Sequence, residues 1–359
     1  MKLYYITRVN IPSFAAQSVQ IMSMCKAFSK KVKNFKLISP KNRNNEFMDV
    51  DFKWDRIDIT SKYKYLEFVI KSFVKVIKEK PTHIFTRDIV VAFFSSFLNI
   101  KVIYEVHKDP KTKTAYFLLK ILRYKSNFLL IGISKALEDY YLKFGYKKEK
   151  FFYYHDGVFL EKYDKLRNIS KKNLRKQLNL PIDKIIIMHT GSLYEGRGAE
   201  YFEVIIKNFP EIYFVQVGGS EEYVNKWRNY YKDYDNIKII GHQDNETLIK
   251  YQMSADLLFL PMTKNNPIWW CTSPMKLFEY MATGVPILAS NIGSVGEVLT
   301  KKNAIIFNPE DEGSIIDGVK FYLENSEKAN ELGKNSLNEV RKRYTWNKRI
   351  ERILEFIRW

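Results

Sequence analysis

Short runs of apolar, β-branched or aromatic residues alternate with helix-period stretches along almost the whole chain, and they do so in two series. The first series is Leu3–Ile6, Phe35–Ile38, His83–Phe85, Val102–Glu105 and Phe128–Ile133. Amphipathic patterns at Ser18–Phe28, Tyr65–Ile77, Thr114–Tyr124 and Lys135–Phe144 fall between these runs. After a basic stretch near Tyr163–Leu174, expected to be a linker, the second series runs through Ile185–His189, Tyr213–Val217, Ile237–Ile240, Leu257–Leu260, Pro286–Ala289 and Ala304–Phe307. Strands apolar on both faces and separated by helices are the signature of parallel sheets covered on both sides. The expected fold class is therefore α/β, with two Rossmann-like domains whose parallel sheets face a central cleft. Residues 1–163 form the first domain and 164–340 the second. A terminal helix, 341–359, is expected to pack back on the first domain. In open α/β sheets ligands sit beyond the carboxyl ends of the strands, so functional residues belong in the loops that follow them.

Composition narrows the class. The 359 residues are 46% hydrophobic, enough to fill two ordinary cores. No apolar run reaches the roughly 18 residues of a membrane-spanning helix. The opening MKLYYITRVN has no apolar segment of the secretory type, which places the chain in the cytosol. Cys25 and Cys271 fit no metal-binding spacing, and the five histidines are scattered, so no metal and no bound cofactor are expected. The net charge of +19 is lopsided. Residues 1–150 hold 30 Lys and Arg against 13 Asp and Glu, whereas the rest hold 29 against 27. A basic first half favours a polyanionic partner, such as an anionic membrane surface or a phosphate-bearing acceptor. Solvated lysines explain the same excess without any partner. Nucleic acid is the least favoured partner, because no recognition motif accompanies the charge.

Two segments carry chemistry. The loop His189-Thr-Gly-Ser-Leu-Tyr-Glu-Gly-Arg-Gly198 follows a strand and leads toward a helix expected near Gly198. Glycines at 191, 196 and 198 let the backbone approach a phosphate, and Arg197 can grip its oxygens. The pattern is neither GxGxxG nor GxxxxGK[ST], and a tight turn is the simpler reading of such a loop. The second segment is Trp269-Trp-Cys-Thr-Ser-Pro-Met-Lys-Leu-Phe-Glu-Tyr-Met-Ala-Thr-Gly-Val-Pro-Ile-Leu-Ala-Ser290. Pro274 suits a first helical turn, Thr272 or Ser273 a cap, and Gly284 a terminator. Lys276 and Glu279 then share one helix face. An exposed helix with an ordinary ion pair would look the same.

Taken together these segments resemble a known family. The order HTGSLYEGRGAEYF, VQVGG, NIKIIGHQDNETLIKYQMSADLLFLP, SPMKLFEYMATGVPILAS and GEVL is similar to the donor domain of retaining family-4 (group 1) glycosyltransferases of the GT-B fold. VNIPSFAAQSVQIMSMCKAF, YEVHK, ISKAL and HDGVF extend the resemblance over the first half. The resemblance implies transfer of a sugar from a UDP- or GDP-sugar to a glycan or lipid-linked acceptor of a bacterial cell envelope, at the inner face of the cytoplasmic membrane. A nucleotide-sugar epimerase or phosphorylase of the same fold is the alternative. Carried over residue by residue, Glu279 would hold the donor ribose, and Arg197 and Lys276 the pyrophosphate. Gly191 and Ser192 would line the phosphate loop, Ser273 and Met275 would face phosphates and sugar, and His242 and Gln243 would border the base. His107 would reach the transferred sugar. His107, Arg197 and Lys276 are the implied catalytic groups.

Two positions depart from the family pattern. Cys271 stands where the first glutamate of the Glu-x7-Glu motif is expected, and Ser192 where an arginine often follows the loop glycine. Trp270, Cys271 and Thr272 therefore become candidates for altered sugar contacts, although packing alone accounts equally well for Trp269 and Trp270. Asp49-Val-Asp51 and Asp233-Tyr-Asp235 look like metal-binding DxD motifs but sit in polar connections, where chance explains them. His155 reads as a structural histidine.

Overall fold

The computed structural model describes every residue except Phe14, Phe47, Glu195 and Trp359. Three of these lie in segments singled out above: Phe14 in the first loop, Glu195 in the glycine-rich loop and Trp359 at the chain end. The chain divides into two units, Met1–Asp156 with Trp346–Trp359, and Gly157–Thr345. The junction thus falls seven residues before the expected 163/164 boundary, and the tail joins the first unit from Trp346 rather than from residue 341.

The first unit runs β1 (Lys2–Ile6), α1 (Ala16–Lys31), β2 (Asn34–Pro40), β3 (Lys53–Ile57), α2 (Lys64–Glu79) and β4 (His83–Thr86). It continues with α3 (Ile89–Ser95), β5 (Lys101–Val106), α4 (Lys113–Leu122), β6 (Phe128–Gly132), α5 (Lys135–Lys143) and β7 (Phe151–Tyr153). All seven strands are parallel, in the order β3-β2-β1-β4-β5-β6-β7. Central β1 is buried from Leu3 to Ile6, as expected for a strand covered on both faces. Two elements were not legible as strands. β3 and β7 are the sheet edges; KWDRI interleaves charged with apolar residues, and FFY is only three residues long.

The second unit begins with α6 (Leu160–Asp164) and α7 (Lys171–Gln177), so the stretch expected to be a linker is largely helical. Ser170 caps α7, its hydroxyl accepting from the Asn173 N–H at 3.3 Å. Then follow β8 (Ile186–Thr190), α8 (Phe202–Asn208), β9 (Tyr213–Val217), α9 (Glu221–Tyr230), β10 (Ile237–Ile240) and α10 (Asn245–Ser254). The unit closes with β11 (Leu257–Leu260), α11 (Met275–Thr283), β12 (Ile287–Ser290), α12 (Gly293–Val298), β13 (Ile305–Phe307), α13 (Glu312–Glu324) and α14 (Ser326–Arg343). Its six parallel strands are ordered β10-β9-β8-β11-β12-β13. Both units are thus Rossmann-like. Apolar clusters line both faces of this second sheet, one around Met188, Leu258 and Phe278 and the other around Ile187, Phe214 and Phe259.

The helix expected over 341–359 is interrupted at Tyr344, the residue that ends α14. The last helix, α15 (Trp346–Arg358), packs on α1 within the first unit. Ile350, Ile353 and Ile357 are fully buried there, and Phe356 stacks on Phe152 at 5.2 Å. One charged residue is buried with them: Arg349, whose guanidinium meets Glu105 at 2.6 Å. Among the described residues no helix is long and apolar enough to cross a membrane.

Candidate active site

In the second unit β8 and β9 lie side by side in register, pairing His189 with Gln216. Both are fully buried polar residues in otherwise largely apolar strands, where every donor and acceptor must find a partner. They satisfy one another. The His189 ring donates through Nδ1 to the Gln216 amide oxygen, and the Gln216 amide nitrogen donates to the Gly191 carbonyl at 2.9 Å. With Nδ1 carrying the proton, Nε2 is an acceptor, and Lys276 Nζ donates to it at 2.8 Å. Burial, followed by the nearby Lys276 charge, pushes the histidine pKa well down, which keeps the ring neutral.

Lys276 therefore lies beneath the glycine loop. Gly191 has φ +128°, a conformation that favours glycine, and a Cβ there would stand 2.8 Å from Lys276 Nζ and push the ammonium aside. Burial and the neighbouring Arg197 charge bring the Lys276 pKa down to about 7, against the opposing influence of Glu279. Arg197 stacks on the Tyr194 ring, 4.7 Å from its centroid, and hydrogen-bonds the Tyr194 hydroxyl. Among the described residues neither Lys276 nor Arg197 has a carboxylate within ion-pair distance. Two basic side chains thus converge at the carboxyl end of β8, with Glu279 acting on Lys276 from along the helix.

Glu279, one turn along α11 from Lys276, is held from the other side. The Gln252 amide nitrogen lies 3.4 Å from its Oε2 and 3.1 Å from the Thr190 hydroxyl, and the Tyr163 hydroxyl donates to the Gln252 carbonyl oxygen at 3.1 Å. Burial raises the Glu279 pKa; the Gln252 bond and Lys276 work against it. Tyr280 anchors the strand end, its hydroxyl accepting from the Thr190 N–H at 2.7 Å. His189, Gln216 and Gln252 were not singled out in the sequence. The signal was present, because a histidine or glutamine in an otherwise apolar buried run needs a partner.

Two expectations about caps are corrected. Helix α11 starts at Met275 with Pro274 in the cap position, and neither Thr272 nor Ser273 caps it. The extended backbone at Pro274 (ψ 119°) delays the first turn, and the Thr272 carbonyl instead accepts from the Ser294 hydroxyl. Likewise α8 begins at Phe202, not near Gly198. Gly198, at φ +84°, leads first into a single 3₁₀ turn over Ala199–Tyr201. Gly284, in the left-handed region, ends α11 as expected.

The remaining candidates sit on neighbouring loops of the same sheet edge. Ser192 is half-buried beside Gly191. His242 is exposed after β10, and the Gln243 side chain donates to the His242 carbonyl at 2.9 Å. Asp244 caps α10 immediately beyond, accepting from the Glu246 and Thr247 N–H groups. In the loop between β11 and α11, Cys271 is fully buried, its Sγ 3.7 Å from the Ile268 carbonyl. Trp270, Thr272 and Met275 are half-buried, and Ser273 is nearly covered.

His107 belongs to the first unit, directly after β5. Its Nε2 donates to Glu105 at 2.9 Å, and Glu105 also takes the Arg349 guanidinium. Burial would raise the Glu105 carboxyl, yet His107, Arg349 and Arg87 outweigh it and hold it well below the usual range. Burial and the Arg87 charge lower the His107 pKa, with Glu105 opposing. Asp49 and Asp51 precede β3, and Asp233 and Asp235 precede β10. Among the described residues no group of three His, Cys, Asp or Glu side chains is placed to hold a metal.

Residues 170–339, which carry every feature of the Gly191–Lys276–Glu279 cluster except Tyr163, match the family of glycosyl transferases group 1. Over these residues, a little under half of the chain, the sequence is similar to a group 1 glycosyltransferase domain. Spore coat protein SA of Bacillus subtilis is 26% identical over 197 residues, covering 52% of this chain and 51% of the relative. The chain thus spans about half the length of that relative. Solved structures agree over the whole chain. Sucrose-phosphate synthase from Thermosynechococcus elongatus superposes with a TM-score of 0.80 at 17% identity, covering 100% of this chain and 98% of the other. Anabaena Alr3699/HepE, in complex with UDP-glucose, gives 0.77 at 15% identity over 99% of both. At such identities the likeness establishes the GT-B fold, and the match to glycosyl transferases group 1 falls within its second unit.

Proposed function

We propose that this glycosyltransferase uses a UDP- or GDP-sugar as donor, retains the anomeric configuration, and extends a glycan or lipid-linked acceptor in cell-envelope polysaccharide synthesis. The observation that carries the donor reading is Lys276 set against Gly191 with the Arg197 charge acting on it. Cleavage of a sugar–phosphate bond builds negative charge on the departing diphosphate. Fixed cations in a site shielded from water stabilise that charge without reorganising, in the place a divalent metal takes in other transferases. Glu279, oriented by Gln252, is the acceptor group for the ribose hydroxyls. His107, oriented by Glu105, is the proposed contact to the transferred sugar. Trp270, Thr272 and, beneath them, Cys271 would tune which sugar is taken.

The UDP-glucose complex of the Alr3699/HepE neighbour supports the donor part of this reading, and the spore-coat name of the Bacillus relative supports work on a surface structure. Cytosolic work at an anionic membrane fits the basic first half. The test is incubation with a panel of UDP- and GDP-sugars and candidate lipid-linked acceptors, with products followed by mass spectrometry and NMR. Free nucleoside diphosphate with a linkage that keeps the donor's anomeric configuration supports the proposal. A free epimerised sugar, or a sugar phosphate, would replace it with the epimerase or phosphorylase reading.

A further inference from the structure

The first unit leaves a large apolar surface uncovered. Among the described residues seventeen large hydrophobic side chains are exposed, and eleven of them fall between Tyr63 and Tyr124. They are carried by α2, α3, α4 and the residues directly adjoining. On α2, Leu66, Ile70, Val74 and Ile77 are between 42% and 58% exposed. At about 100° per residue these four fall within roughly 80° of arc. They are not the core face of the helix, which is formed by Phe68, Val69, Ser72 and Val76. α2 is thus apolar on two sides, and only one of them is buried.

The surface continues across the neighbouring helices. Phe73 of α2 meets Phe94 of α3 at 6.0 Å, and Phe93 meets Phe97 at 5.1 Å. Phe97 is 58% exposed, and on α4 Phe117 is 62% exposed. The strand order places these helices together. The chain steps one way from β1 to β2 and the other way from β4 through β5 to β6. Right-handed crossovers then put α3 and α4 on the sheet face opposite α1. α1 is covered by α15.

Charge identifies the occupant. Residues 61–125 contain 14 Lys and Arg against five Asp and Glu. Lys64, Lys71, Lys75 and Lys78 follow the exposed arc of α2 on its polar side. Four cations sit over the surface rings themselves: Lys125 lies 3.7 Å from the Phe97 centroid, Arg123 4.6 Å from Tyr124, Lys120 4.7 Å from Tyr116, and Lys62 5.1 Å from Tyr63. A second copy of so basic a surface would repel it. Protein interfaces deplete lysine at their apolar centres. Helices lying in a bilayer interface instead combine such aliphatic and aromatic side chains with flanking lysines that reach the headgroups.

We propose that the α2–α3–α4 surface inserts its apolar side chains into the interface of an anionic phospholipid bilayer, with the ring-associated cations taking the headgroup phosphates. This names the surface through which the membrane attachment proposed above would occur, and rests on that reading. It adds insertion to simple charge attraction.

The test uses the full chain with vesicles of phosphatidylglycerol and phosphatidylcholine in equal parts, and of phosphatidylcholine alone. Leu66→Ser/Ile70→Ser and Phe97→Ser/Phe117→Ser are compared with the unaltered chain by co-sedimentation at low and high salt. Binding of UDP and GDP, together with thermal melting, reports the donor site and the fold independently. The anionic vesicles should bind the unaltered chain, and each double variant should lose about tenfold or more in partitioning with nucleotide binding and melting unchanged. Ile70→Cys carrying an environment-sensitive dye provides a second readout, because both native cysteines are buried. Its emission should shift to the blue only with anionic vesicles. Double variants that bind like the unaltered chain would overturn insertion and leave charge alone. A dimer that the variants split, or no vesicle binding at all, would assign the surface to another protein. Failure of nucleotide binding with vesicle binding intact would sink the donor reading and leave this one standing.

Discussion

Lys276 Nζ and His189 Nε2 lie 2.8 Å apart, and the lysine is the donor. The direction is fixed on the far side of the ring, where the Gln216 amide, tied to the Gly191 carbonyl, presents its oxygen to His189 Nδ1. The loop backbone, two strand residues and the lysine therefore form one line of hydrogen bonds. A change at any member should reach the ammonium group.

The first consequence is a pH dependence. The Lys276 pKa falls from an ordinary lysine value of 10.5 to about 7. Between those values the unfolded chain holds more protons than the folded one, so this group makes stability rise with pH across that window. A diphosphate beside the ammonium favours its charged form. Nucleotide binding should therefore take up a proton above neutral pH, and affinity should decline as pH rises through about 7. Titration calorimetry over a pH series checks this. In Lys276→Met the slope should vanish and affinity fall about tenfold or more, the loss of a charge-assisted hydrogen bond.

His189→Leu should act through the lysine. Losing the acceptor disfavours the ammonium form, so the pH dependence should move toward acid while nucleotide affinity falls severalfold. The Gln216 oxygen is left buried without its donor, at a cost of about 1–3 kcal/mol in stability. An unmoved pH profile with the same loss of stability would give His189 a packing role only.

Gly191→Ala tests the close approach of loop and lysine. The substituted residue must hold φ +128° with its Cβ 2.8 Å from Lys276 Nζ. Strain of about 1–3 kcal/mol is expected in urea unfolding, with nucleotide binding lost.

In the first unit Arg349 and Glu105 are both fully buried. Arg349→Leu removes one of the partners of the buried carboxylate and leaves it to His107 and Arg87, so unfolding should be easier by about 1–3 kcal/mol. Glu105→Leu combined with Arg349→Leu should recover part of that loss, because the buried carboxylate and guanidinium are then removed together. Denaturant unfolding of both single variants and the double variant measures this.

Much of this was legible in the sequence, for a physical reason. Strands buried on both faces, such as Ile186–Thr190 and Leu257–Leu260, must be largely apolar, and that pattern can be read directly. Edge strands β3 and β7 escape because one side lacks a neighbour and the runs are short. Lys276, Glu279, Arg197 and Gly191 stood out as chemistry-bearing residues in loops and a helix start. The residues that orient them did not. His189 and Gln216 come together only through the parallel register of β8 and β9, and Gln252 reaches Glu279 only because α10 packs beside α11. No sequence spacing encodes those distances.

The central claim is that Glu279 and the Gly191–Lys276 loop form a nucleotide-sugar pocket. Calorimetric titration of UDP and GDP into the unaltered chain and into Glu279→Ala tests it most directly. One of the two nucleotides should bind the unaltered chain, and the variant should bind it about tenfold or more weakly, with the melting transition preserved. Equal affinity in a folded Glu279→Ala variant would contradict the site.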